Sequence, residues 1–346
     1  MKPLPAFVSV CLTLFATAAL SAQYVETFER YRATTGAANW ANGQWVSQAS
    51  GPQPDEALDT NLSPTPTAAD LVIFNTDALN TTGVTSRTTG NRSARGLVFR
   101  TSGDVLITGH NGDYWLETFA SGVTVEAGAG AVTIGTAATG GLIQPRLRAT
   151  QTWANHSSNV LTVRGGGSNL VMWLAPTVAT PGDLVLTLSG SGAFALPTIQ
   201  FRGVVVDEQV TQLAALAYTS GVTISGNLRL EQSTSPIALI FNPTAALTVT
   251  GTTSFLGGPF GIPNLIGLDG NTTDFGTYSI ISGTVDLTNV VNVGPGDAFD
   301  IGGGKWAHFT SEPSGLQVVV AVPEPAVLAG LFGLAALGLA LLRRRA

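Results

Sequence analysis

Three histidines are scattered through the chain, at His110, His156 and His308. None stands at the short spacing by which neighbouring side chains share a metal ion. His110 lies in Gly109-His110-Asn111-Gly112-Asp113, which suits an ion-binding loop and equally a plain turn. Six acids, Glu26, Glu29, Asp55, Glu56, Asp59 and Asp70, gather toward the N-terminus. Glycoside hydrolysis needs two carboxylates about 5–9 Å apart; sequence proximity does not supply that geometry, and solvated loop acids fit the same residues. Asp269, Asn271 and Asp274 fall in a turn-rich stretch but lack the spacing and terminal acid of an EF-hand loop. Gly165-Gly166-Gly167 follows an apolar run but opens no helical pattern, which disfavours a nucleotide loop. HExxH, a P-loop and a strand-embedded GxSxG are absent. Trp40, Trp45, Trp115, Trp153, Trp173 and Trp306 suit stacking on sugars or filling a core. The expectation is a protein with no catalytic residue, no metal site and no cofactor, and not an enzyme.

The elements that would position these residues read as strands. Charged residues make up 11% of the 346, and glycine numbers 41. Recurrent Val, Ile and Leu argue against disorder all the same. Short runs such as Gly96–Arg100, Asp104–Thr108, Val123–Glu126, Ala131–Ile134, Val160–Val163 and Leu184–Leu188 alternate or carry branched residues. Val204–Val206, Val222–Ile224, Leu247–Thr250 and Leu316–Val320 continue the series. Gly, Asn, Asp and Ser punctuate them, as tight turns require. Strand centres near 185, 204 and 223 recur after roughly 20 residues, a spacing that suits rungs of a parallel β-helix. An irregular β-sandwich shows much the same pattern. Ser47–Ala69 reads as a long exposed loop, and Glu208–Tyr218 as a short helix or one side of a coil. Gly257–Asp274 reads as the start of a cap, because an open terminal rung exposes apolar side chains and unpaired edges. Between Gln23 and Pro325 there are 12 basic and 22 acidic residues. That dilute acidity disfavours nucleic acid as a partner.

Both termini carry signals. Residues 1–22 read as a secretory signal peptide: Lys2, an apolar stretch from Ala6 to Leu20, then Ser21 and Ala22. The single cysteine, Cys11, lies inside it, so a mature chain cleaved there forms no disulfide. At the other end Val322-Pro323-Glu324-Pro325 precedes Ala326–Leu342, which holds no charge. At about 1.5 Å per residue this stretch spans about 25 Å as a helix, the lower limit for a bilayer core. Arg343, Arg344 and Arg345 follow as a stop-transfer cluster. The expectation is a transmembrane helix over 326–342, with the arginines cytoplasmic and the body outside.

In that order, these elements resemble the PEP-CTERM signal recognised by exosortases. The resemblance implies that Pro323, Glu324 and Pro325 form the sorting motif. The body has Asn39-Trp40, Gly43-Gln44-Trp45, Ala69–Asn75, Gly96–Phe99, Ala131–Gly135, Gln151–Asn155 and Ser157–Val163. It resembles the autotransporter-associated β-strand repeat proteins, especially those of Verrucomicrobia-like bacteria. Gly261–Gly270, Asp274–Tyr278, Ile281–Val285 and Gly302–Lys305 resemble the C-terminal parts of the same sorted proteins. The implied fold is all-β, a right-handed parallel β-helix. The expected organisation is a signal peptide at 1–22, a β-helix body at 23–255, a β cap at 256–321 and a sorting signal at 322–346. The expected partners are signal peptidase, exosortase, the inner membrane as precursor and exopolysaccharide. The expected location is an inner-membrane-anchored precursor, then the cell surface or medium. The expected role is a structural or adhesive component of the envelope or extracellular matrix. The alternative is a carbohydrate-active enzyme or sugar-binding β-helix protein.

Overall fold

A computed structural model describes residues 28–322 apart from 33–35, 41–44, 50–61, 64, 75–83, 111, 113, 136–141, 165–170, 175–182, 207–208 and 313–314. The chain winds as an all-β, right-handed parallel solenoid. Each full coil contributes a strand to each of three parallel sheets. The first sheet runs through Leu71–Phe74, Gln151–Asn155, Leu184–Ser189 and Ala214–Tyr218. The second runs through Val105–Gly109, Val132–Ile134, Leu161–Val163, Ala193–Ala195 and Thr223–Ile224. The third runs through Ile143–Leu147, Val171–Leu174, Thr198–Phe201 and Leu228–Gln232.

Period two in the sequence becomes alternation between core and solvent. Ile143, Pro145 and Leu147 are buried while Gln144 and Arg146 between them are partly exposed. Parallel register then stacks like on like. Val72, Leu97, Val123, Trp153, Leu188 and Tyr218 form one inward row of the first sheet. Val105, Val132, Leu161, Phe194, Ile224 and Val249 form its counterpart in the second. All twelve are buried. Full burial of a side chain of this size contributes about 1.5–3 kcal/mol, so the rows supply the main cohesion of a chain this poor in charge.

Several strands serve two sheets, Leu247–Leu256 among them with the second and the third. Arg92–Phe99 and Tyr114–Val125 begin in the third sheet and end in the first. The bend in the second of these falls at Gly122, whose φ is 60°. A Cβ there would lie 2.0 Å from the Thr152 carbonyl oxygen on the next rung. Only glycine fits both demands.

At each end of the stack antiparallel pairing covers one parallel strand. Phe28–Arg32 pairs in parallel with Leu71–Phe74 and antiparallel with Trp45–Ala49. At the other end Gly276–Val285 pairs in parallel with Leu247–Leu256 and antiparallel with Gly315–Ala321. Gly315–Ala321 pairs in turn with Lys305–Glu312. Phe255, Phe260 and Phe309 stack at 4.1 and 5.6 Å and plug the core below this cap.

Three expectations need correction. A repeat of roughly 20 residues is not the coil length. Leu184–Ser189 belongs to the first sheet, Val204–Val206 to a separate hairpin with Gln209–Gln212, and Thr223–Ile224 to the second sheet. Most successive rungs are 23 to 35 residues apart, as Leu216 opposite Leu239 and Trp153 opposite Leu188 mark, with 21 from Val84 to Val105 and 48 from Gly36 to Val84. Three strands and their corners simply need more chain than one strand and a turn. Second, of the two readings of Glu208–Tyr218 the helix fails and the side of a coil holds: among its described residues Gln209–Gln212 and Ala214–Tyr218 are strands, the latter in the first sheet. Third, among the described residues the expected fold with an added transmembrane helix is a solenoid without one. No helix among the described residues is long and apolar enough to cross a membrane. The helical elements there are two 3-10 turns of three residues, Ile262–Asn264 and Pro295–Asp297. The inner-membrane anchor expected of the precursor is likewise not found among the described residues. Residues 326–342, to which the span was assigned, lie outside the described residues, as do the signal peptide and the motif Pro323, Glu324, Pro325 with Arg343, Arg344 and Arg345.

Candidate functional site

The outward face of the third sheet gathers the polar and aromatic residues that the core rejects. Alternation in Tyr114–Val125 buries Leu116 and Thr118 and turns Trp115 and Glu117 outward. On the next rung Arg146 and Arg148 flank buried Leu147. One rung further, Trp173 precedes buried Leu174, and on the fourth rung Arg202 follows buried Phe201. Register sets Glu117 beside Arg146, Arg146 beside Trp173, and Trp173 beside Gln200.

These side chains close into a continuous stack. The Arg146 guanidinium carbon lies 3.7 Å from the Trp115 ring centre and 4.1 Å from that of Trp173. The Arg202 guanidinium lies 3.9 Å from the Trp173 ring centre. Trp115, Arg146, Trp173 and Arg202 thus alternate ring and cation over four consecutive rungs. Each contact stabilises by about 0.5–2 kcal/mol depending on desolvation. Neighbouring groups fix the rim. Gln200 Oε1 accepts from Arg202 Nε at 3.3 Å and Nη2 at 3.2 Å. Arg148 Nε donates to Glu117 at 2.8 Å, and Ser93 Oγ donates to the other Glu117 oxygen at 3.4 Å. Asn91 Oδ1 accepts from the Trp115 backbone N–H at 3.2 Å. Arg146 Nε and Trp173 Nε1 are buried without a hydrogen-bond partner among the described residues.

Burial, and then the neighbouring Arg148 and Arg202 charges, hold the Arg146 guanidinium below the usual arginine range, with Glu117 opposing. It remains a cation at neutral pH. The ladder is therefore a flat, half-apolar strip with fixed donors and a surplus of positive charge.

The residues singled out from sequence go elsewhere, with two exceptions. Asp70 is buried and accepts from the Thr67 amide and hydroxyl at 2.7 and 2.8 Å, closing a turn. Asp269 accepts from Asn271 N and Nδ2, another turn, and Asp274 offers its backbone carbonyl to Tyr278. The Glu29 backbone lies in the first described strand; Glu26, Asp55, Glu56, Asp59 and Gly165–Gly167 lie outside the described residues. His110 ends a strand of the second sheet, His156 is exposed after Gln151–Asn155, and His308 sits in Lys305–Glu312 of the cap. Among the described residues no group of three or more His, Cys, Asp or Glu is placed to hold a metal ion. Trp40 and Trp153 fill the core. Trp306 lies in the cap, and Trp45 in an N-terminal strand.

Trp115 and Trp173 are the two that reach the ladder, while their partners Arg146, Arg148, Arg202 and Glu117 escaped sequence reasoning. Their signal was present: Trp115, Arg146, Trp173 and Arg202 follow one another by 31, 27 and 29 residues, one coil each. No protein-family model matches the chain, no curated protein matches its sequence, and no solved structure matches its fold.

Proposed function

We propose that this protein is an exported carbohydrate-binding β-solenoid that holds a glycan chain along the outer face of its third sheet. The ladder of Trp115, Arg146, Trp173 and Arg202 carries the reading. Sugars combine apolar ring faces with a fringe of hydroxyls, and a surface suited to them pairs apolar area with fixed in-plane donors. Stacking on both sides immobilises the Arg146 guanidinium and the Trp173 ring before any ligand arrives, so little ordering entropy is lost on binding. The strip continues from rung to rung, which favours a polymer over a monosaccharide. Glu117, the acid beside the strip, is committed to Arg148 and Ser93, so binding without cleavage is the proposed activity. An adhesive or matrix role follows from such binding. Signal peptidase near Ala22 and an exosortase at Pro323-Glu324-Pro325 are proposed processing partners on the terminal motifs alone.

Calorimetric titration of the purified chain with a panel of soluble polysaccharides tests the reading. At least one should bind, and Trp173→Ala should weaken it about 10–30-fold, as removal of an anchoring aromatic does, with the fold retained by circular dichroism. No binding across the panel, or release of reducing ends on incubation, would overturn it.

A further inference from the structure

The ladder carries more positive charge than neutral hydroxyls call for. The chain as a whole is acidic, with a formal net charge of −6. Yet Arg146, Arg148 and Arg202 crowd onto two adjacent outward rows of one sheet, with Glu117 alongside. Resting on the glycan-binding reading above, we infer that the ladder selects acidic polysaccharides, whose carboxylates dock on the Arg146 and Arg202 guanidiniums.

The geometry of the stack leads there. Arg146 and Arg202 cover opposite faces of Trp173, at 4.1 and 3.9 Å. Their N–H donors lie in the guanidinium planes, at the rim of the stack, in the fork that matches a carboxylate. The strands that carry them are two rungs apart, about 9.6 Å at the usual strand spacing. A linear polymer lying along the solenoid axis therefore meets two guanidiniums at a fixed interval, that of Arg202 turned in part toward Gln200 Oε1 and offering its remaining N–H groups. Among the described residues Arg146 Nε and Trp173 Nε1 have no acceptor, and a buried donor left unpaired is a standing cost. Like-charge crowding of Arg146 by Arg148 and Arg202 is a second such cost, and an incoming anion relieves it.

Nucleic acid fits the same charges less well. Single strands bind by stacking bases on open aromatic faces, and here both faces of Trp173 and one face of Trp115 already hold guanidiniums. The net acidity of the chain adds a general repulsion toward a polyphosphate.

The test compares three probes on the full chain at about 0.15 M salt, where exposed charges are screened beyond about 8 Å. These are a polyuronate (polygalacturonate, with alginate beside it), the same polygalacturonate after reduction of its carboxyls, and an oligothymidylate. The polyuronate should bind at least about tenfold tighter than its reduced form, the range of a charged hydrogen bond. The pair Arg146→Gln and Arg202→Gln should erase that preference and leave the residual affinity for the reduced polymer. Arg146→Lys with Arg202→Lys should restore only part of it, because lysine keeps the charge and loses the fork. Thermal melting of each variant separates lost binding from lost folding. Equal binding of polyuronate and reduced polymer would overturn the acidic preference and leave glycan binding standing. Absence of binding to either polymer would overturn the acidic preference, and glycan binding falls with it when the polysaccharide panel also shows none. Tighter binding of oligothymidylate than of polyuronate would overturn both in favour of a nucleic-acid surface.

Discussion

Trp173 shows how a side chain turned away from the core can still be held rigid. It exposes part of its surface, yet a guanidinium lies against each face, so its orientation is set without inward packing. Buried polar residues follow the opposite logic and are fixed by hydrogen bonds. Asn155 is fully buried; its amide nitrogen donates to the Asn159 and Ala193 carbonyls, and its oxygen accepts from the Ser157 amide. Asn155→Ala should cost about 2–4 kcal/mol, since several backbone groups lose their partner at once; urea denaturation measures it. Tyr218 donates its hydroxyl to the Ile280 carbonyl at 2.9 Å, and burial pushes its ionisation well above the ordinary phenol range. The neutral form is the one the fold accepts. Its contribution is whole below pH about 10, the unfolded value, and declines as pH rises beyond that. Stability by urea denaturation should fall as pH rises above about 10, and Tyr218→Phe should flatten that fall. At this scale the sequence exposed the tryptophans and hid their arginines. Trp115 and Arg146 are 31 positions apart, and no local pattern joins them. Only the coil length makes them neighbours, and the strand spacing near 185, 204 and 223 pointed to a shorter one.

Strands were the most legible elements, because alternation of core and solvent is written directly in residues such as Leu184–Leu188. Which strand pairs with which was not legible, since a parallel partner lies a whole coil away. The corner glycines illustrate the difference. Gly122 reads in sequence as a weak point of a strand, whereas its φ of 60° and the nearby Thr152 carbonyl make it a required bend. Gly122→Ala should destabilise by roughly 2 kcal/mol or more, through backbone strain and overpacking together. Chemical denaturation would show it, with a control at Gly128, where a Cβ meets nothing within 4 Å although φ is positive; there only the backbone cost should appear. The cap makes a similar point about apolar rows. Phe260 sits between Phe255 and Phe309, and Phe260→Ala should cost about 3–5 kcal/mol and loosen the cap before the coils.

Across the whole molecule, charge is sorted by position. Between residues 256 and 321 there are six acids and one lysine, whereas Arg146, Arg148 and Arg202 mark the middle of the stack. The all-β class was accessible from composition and period; that pattern left a solenoid and a sandwich open, the resemblance favoured the solenoid, and the described residues form it without the added helix. The membrane-spanning helix was an inference from an apolar run and the arginines after it, which lie outside the described residues; among those residues no helix is long and apolar enough to cross a membrane. A glycan lying over the middle coils should leave the acidic cap untouched, and its affinity should weaken as salt rises if carboxylates take part. Hydroxyl-radical footprinting of the chain with and without a bound polysaccharide tests the central claim most directly. Trp115 and Trp173 should lose reactivity together on binding, while Trp306 and Tyr278 of the cap keep theirs. Protection of the cap residues with Trp115 and Trp173 unchanged would contradict the account.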